Sequence, residues 1–286
     1  MAAVGYVLIT ETIISALAEA ERNGPHKNMT SGIYSTGPMD SPRYQLAKAR
    51  EKFFAVKPLL KRYADSGPFK VDVENFATSD ATRIVLRRVK NPPMEVADTI
   101  NDSFEALRKA LDQVGYAVVR KLGAGGKKCA FPFGDNDSEV QARASGQSKE
   151  IPPEIFAIMT AFRPHKEGDK LLWALNEIAN TSKHRITKAF PGSVSQASVG
   201  MLRISGNGDI LGPWDEQKGE MVIAEIGSDS EFTMDGLSYT ISLVFGDVPY
   251  VEGMPIEPVF RYLESKVKEV LDAVELKAVE MNIFQA

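Results

Sequence analysis

The chain predicts an α+β fold, a helical bundle packed with antiparallel β-sheet, from three observations. Ile100, Phe104, Leu107, Leu111, Val114 and Val118 recur at alternating steps of four and three, the seam of an amphipathic helix. From Gly192 onward the pattern changes to short apolar runs at 199–204, 220–226, 231–234 and 237–245, cut by Gly- and Asp-rich turns. After those strands a helical pattern returns over 255–279, with Val259, Leu263, Val267, Val270 and Val274 on its inner face.

Taken in order, residues 10–22 read as a short amphipathic helix, and 23–43 as a linker rich in Gly, Pro, Ser, Thr and Asn. A helix over 44–65 carries Leu46, Phe53, Val56 and Leu60, with Pro58 as a point of kinking. Phe69, Val71 and Val73 alternate with charged residues. After Thr78-Ser79-Asp80, Ile84 and Leu86 do the same, which predicts a β-hairpin over 69–88. The helix over 97–122 stops at Gly123-Ala124-Gly125-Gly126, and 123–152 reads as a long loop, polar apart from Ala130-Phe131-Pro132-Phe133. Helices at 153–163 and 169–189 follow, parted by Pro164 and Gly168. Asp235-Gly236 predicts a two-residue hairpin turn between the last strands. The expected organisation is an N-terminal arm, 1–43, and one α+β body over 44–286. Its first part, 44–190, is mainly helical with a β-hairpin, and 191–286 supplies strands and the final helix.

Composition narrows the function classes. At 286 residues the chain can bury a sizeable core, and 43% apolar with 25% charged residues is ordinary for a globular protein. The single cysteine, Cys129, excludes an internal disulfide. With only three histidines besides, no metal and no cofactor site is expected, and the setting expected is cytoplasmic. No apolar run is long enough for a membrane span, since 4–9 ends at Glu11. The net charge of −4 is uneven: 191–286 holds 6 Lys/Arg against 16 Asp/Glu, whereas 1–190 is net +6. That surplus is too diffuse for a basic nucleic-acid stripe and fits complementarity between two halves of the chain.

The candidate site lies on the 169–189 helix. At about 100° per residue, Trp173, Glu177, Asn180, His184 and Lys188 fall within a sector of roughly 80°, opposite Leu171, Leu175, Ile178 and Ile186. An imidazole at His184, with Asn180 and Glu177 one and two turns back, is placed for general acid/base work. Lys183 and Arg185 beside it can stabilise negative charge. Trp173 suits an interface or a stacking platform. On the 97–122 helix Arg108 and Asp112 are spaced to pair at i,i+4, and that flank can reach the Glu177 side. The alternative for the same face is a structural polar network at a helix–helix or dimer contact. Gly123–Gly126 lacks the spacing of a phosphate loop and reads as a helix stop, and Cys129 as an incidental loop thiol.

Leu107-Arg108-Lys109-Ala110-Leu111-Asp112, then Leu175-Asn176-Glu177-Ile178 and Lys183-His184-Arg185, resemble an uncharacterised bacterial protein family that carries a Lys-His-Arg helix; the resemblance covers roughly 44–275 and implies no activity. Asn180-Thr181-Ser182-Lys183-His184 is also similar to the motif of HEPN-type helical bundles, many of them metal-independent ribonucleases, with Ala179 where that motif has arginine. The second resemblance implies RNA as partner. His184, Asn180 and Glu177 would be catalytic, and Arg108, Lys183, Arg185 and Trp173 would hold substrate. The other expectation is a non-catalytic protein-interaction module that forms a homodimer through the Trp173/His184 face. A small-molecule pocket under the 123–152 loop is a third.

Overall fold

The computed structural model describes residues 37–75, 81–184, 192–205, 208–210, 212, 214–215, 217–227, 231–246 and 248–285, the side chains of 81, 181–184, 192–210 and 231–242 excepted. The elements run α1 (Asp40–Asp65), β1 (Phe69–Asn75), β2 (Ala81–Arg88), α2 (Met94–Lys121), α3 (Asp137–Ala142), α4 (Pro153–Ala161), α5 (Lys170–His184), β3 (Gly192–Ser205), β4 (Gly208–Ile210), β5 (Trp214–Asp215), β6 (Glu220–Gly227), β7 (Glu231–Leu243) and α6 (Ile256–Glu280). The fold is α+β, and the described strands β1–β7 pair antiparallel. The helix expected at 10–22 lies outside the described residues.

Contacts divide the chain into two compact units that interleave along it. A β unit holds Leu60–Pro92 and Pro191–Leu243. A helical unit holds Ile33–Leu59, Pro93–Phe190 and Val244–Ala286, so the division falls inside α1.

In the β unit a five-stranded sheet has the order β1-β2-β6-β4, with β5 also on β6. Strand alternation brings Phe69, Ile84, Leu86, Met221, Ile223, Ala224 and Ile226 into one buried cluster, with Val71 and Trp214 packed against it. A bulge lets β6 keep that cluster filled: Ile84 pairs with Ala224 but Val85 with Val222, leaving Ile223 as the extra residue. Arg87 joins three strands by binding Asp72 (3.1 Å), Glu74 (2.5 Å) and Glu220 (2.8 Å).

β3 and β7 form a separate two-stranded ribbon, Ser205 opposite Glu231 and Gly192 opposite Leu243. Here the expected turn at Asp235-Gly236 is corrected: β7 runs through it, and Asp235 pairs with Met201. A turn there would strip β3 of its partner from Gly192 to Val199, leaving a row of backbone N–H and C=O groups without ladder bonds. β3 also starts seven residues before the expected 199, because Ser193-Val194-Ser195-Gln196-Ala197-Ser198 is too small and polar to show a strand's apolar alternation.

The helical unit is built around α2, which packs against α5 and α6; α6 also meets α4 and α5. The expected seam is its core, with Ile100, Phe104, Leu107, Leu111, Val114 and Val118 all at most 1% exposed. Phe104 meets the edges of Phe245 (5.5 Å) and Phe260 (5.6 Å), and Phe53 of α1 lies flat on Phe260 at 3.9 Å. The final helix thus returns to the bundle. α1 begins at Asp40, four residues before the expected 44, with Pro42 in its first turn where the missing N–H costs nothing. Pro58 sits inside α1 without ending it. Residues 123–152 are part of the core rather than a plain loop: they hold α3 and bury Cys129, Phe131, Phe133, Val140 and Ile151. No helix among the described residues is long and apolar enough to cross a membrane.

Candidate functional site

Arg108 and Asp112 stand one turn apart on α2 and form an ion pair, Nη1 to Oδ1 at 2.5 Å; the approach lies off the line of a directed hydrogen bond. The packing of α2 on α5 brings Arg108 Nε to Asn176 Oδ1 at 3.2 Å, and Asn176 in turn donates to Glu177 at 3.3 Å. The guanidinium lies over the Phe133 ring at 4.4 Å, and Asp112 accepts the Phe131 N–H at 3.1 Å. One residue therefore ties α2, α5 and the 131–133 segment together, and its side chain is only 17% exposed.

The first turns of α5 carry a second cluster. Asp169 accepts the Leu172 N–H at 2.9 Å, capping the helix, and also accepts the Tyr262 hydroxyl at 2.6 Å. Burial and that acidic partner push the Tyr262 phenol well above its ordinary value. Trp173, expected to hold substrate, is 4% exposed. Tyr250 covers its edge at 5.3 Å, and the Lys166 ammonium lies over its ring at 4.9 Å. Lys166 binds Asp135 at 2.8 Å, and that hydrogen bond, with a further one from the Trp173 indole N–H, holds the Asp135 carboxyl below the usual range. Lys170 stands over Tyr250 at 5.5 Å and Lys266 over Tyr262 at 5.6 Å.

Of the expected catalytic residues, Glu177 is half-buried and joined to Arg108 through Asn176, while Asn180 is exposed. Lys183 and His184 close α5, but their side chains lie outside the description, as does all of Arg185. Ala179, at the position of the HEPN arginine, is 2% exposed. Sequence reasoning missed Asn176 and Phe133 as the partners of Arg108, although Asn176 adjoins Glu177 and the Phe131-Pro132-Phe133 run stood out in a polar segment. It also missed Tyr250, whose φ of 66° no composition pattern announces.

Cys129 is 7% exposed and donates to the Gly126 carbonyl at 3.1 Å. Burial, then Glu150 and Asp112, push its thiol up despite the neighbouring lysines, so it is no nucleophile in waiting. Among the described residues no group of three His, Cys, Asp or Glu could hold a metal ion. Comparisons of the chain with protein-family models, with curated proteins and with solved structures each find no match.

Proposed function

We propose that the helical unit is a protein-interaction module that pairs with a second copy of this chain through the surface at the start of α5. The observation that carries it is the rigid presentation of Tyr250, Met254 and Tyr262, which are 49%, 37% and 39% exposed. Tyr250 has a left-handed backbone, which costs a non-glycine residue about 1–2 kcal/mol. Its contacts with Trp173 and Lys170 hold it there. Tyrosine and methionine are enriched at protein interfaces, where a fixed ring contributes area with little loss of side-chain freedom. Charges of both signs surround the patch, Lys166, Lys170 and Lys266 with Asp135, Asp169, Glu177, Glu252 and Glu269. A two-fold contact can then set each sign against the other.

The ribonuclease reading lacks its guanidinium in two places: Ala179 faces the interior, and Arg108 is engaged by Asn176, Asp112 and Phe133. RNA binding without cleavage keeps one observation in its favour, the lysines over the Tyr250 and Tyr262 rings, since bases stack on such platforms.

Sedimentation equilibrium separates these readings. The wild type should sediment at twice the 31.3 kDa chain mass. Met254→Asp, which leaves the cover over Trp173 in place, should sediment as a monomer with unchanged circular dichroism. A wild type that stays at 31.3 kDa up to about 100 µM would overturn the proposal. RNA cleavage in EDTA, present in wild type and lost in His184→Ala, would restore the nuclease reading.

A further inference from the structure

A groove of about 350 Å³ opens beside the C-terminal half of α2, away from every residue assigned above. Its flat apolar walls are Pro38, Tyr116 and Ala117. Its polar part is a pair, the Ser41 hydroxyl donating to the Gln113 side-chain oxygen at 2.9 Å. Arg120 and Lys121 complete the lining, and no carboxylate is among the residues that form it. Asp40, next to Ser41, turns its carboxylate to the Gly37 N–H at 2.8 Å, and Glu150 accepts the Gly126 N–H at 2.7 Å behind Tyr116.

Two features make this more than a gap between helices. Arg120 and Lys121 both line the groove, and neither has a carboxylate within ion-pair distance among the described residues. Cations in the last helical turn do complement the helix dipole, but that field accounts for only a few tenths to 1 kcal/mol and leaves their hydrogen-bond donors open. Tyr116 is also held. Gly126, at φ 72°, lies so close that a Cβ there would come within 2.6 Å of the ring, and Arg120 lies 5.9 Å from the ring centroid. The aromatic wall is therefore braced from the 123–126 turn, with 46% of Tyr116 left exposed.

We propose that this groove binds a small planar anion with the size and charge of a nucleoside monophosphate. Its phosphate would lie on Arg120 and Lys121, its ring would lie against Tyr116, and its sugar hydroxyls would meet Ser41 and Gln113. Arginine beside lysine suits a phosphate's several oxygens, and the volume is at the lower end for small-ligand pockets.

Isothermal titration with AMP in low salt tests the proposal, with adenosine and ribose 5-phosphate as partial probes. Wild type should bind AMP with a Kd no weaker than about 1 mM, and both partial probes should bind at least about tenfold more weakly. The double variant Arg120→Ala/Lys121→Ala changes exposed side chains, so it should keep the wild-type circular dichroism with only a small fall in melting temperature from the lost helix-dipole contact, and lose AMP binding at least about tenfold. Tyr116→Leu should weaken AMP and leave ribose 5-phosphate unchanged. Absent AMP binding, adenosine binding as tight as AMP, or an unaffected double variant would each overturn the assignment. Self-association does not enter any of these readouts.

Discussion

Arg108 is engaged in three directions at once: an amide acceptor on Nε, a carboxylate beside Nη1 in an ion pair without a directed hydrogen bond, and an aromatic face beneath the plane. A lysine can supply only the charge, because its ammonium neither stacks flat nor forks. Removing the group leaves the half-buried Asn176 amide without its donor and uncovers the Phe133 ring, while Asp112, 41% exposed, turns to water. Arg108→Ala should therefore cost about 1–2 kcal/mol and Arg108→Lys more than half of that, read as a drop in the urea midpoint. Midpoints within error of wild type would make Arg108 an ordinary surface cation. The sequence showed the i,i+4 pairing with Asp112 but not the stack on Phe133, because the two are 25 positions apart and no periodicity links a helix to a coil segment.

Gly115 poses an opposite question for α2 as an element. Alanine in a helix interior is normally favoured over glycine by about 1 kcal/mol. At this position a Cβ would lie 2.2 Å from the Cys129 backbone carbonyl oxygen. That contact is impossible without moving the 129–133 segment, which Asp112 and Arg108 hold in place. We expect the clash to outweigh the propensity, so that Gly115→Ala destabilises by about 1–3 kcal/mol and exposes the Cys129 thiol to alkylating reagents. A stabilised variant with an unreactive thiol would show that the segment yields freely. The same element shows how far pattern reading reaches. The α2 seam was legible residue by residue because one face of a long helix repeats; the hairpin over 69–88 was legible because β1 and β2 alternate. The close approach that makes Gly115 necessary leaves no periodic trace. Asp235-Gly236 misled for a related reason: a turn signal is local, whereas the pairing that overrides it comes from Met201 and its neighbours some 34 positions away. A helical wheel placed Trp173 on a polar face, but a wheel shows only which positions share a side, not that Tyr250 and Lys166 cover that ring.

For the molecule as a whole, α+β class was readable from the order of patterns, while the division into two interleaved units was not, since no linker composition marks it. The helical unit draws on three separate stretches, and α6 brings Phe260 to both Phe53 and Phe104. A chain lacking 244–286 should therefore lose far more helical circular dichroism than α6 itself accounts for. Retention of the α1, α2, α4 and α5 signal would mean that those helices need no closing partner. The interleaving also bears on how the protein is made. During vectorial synthesis the ribosome delivers α1, α2, α4 and α5 first, then the β3–β7 segment, and only afterwards the helix that completes their packing. The long apolar seam of α2 must wait unpartnered on one side through the synthesis of some 130 residues. A nascent chain of this design is a natural client for holding chaperones until α6 has been made.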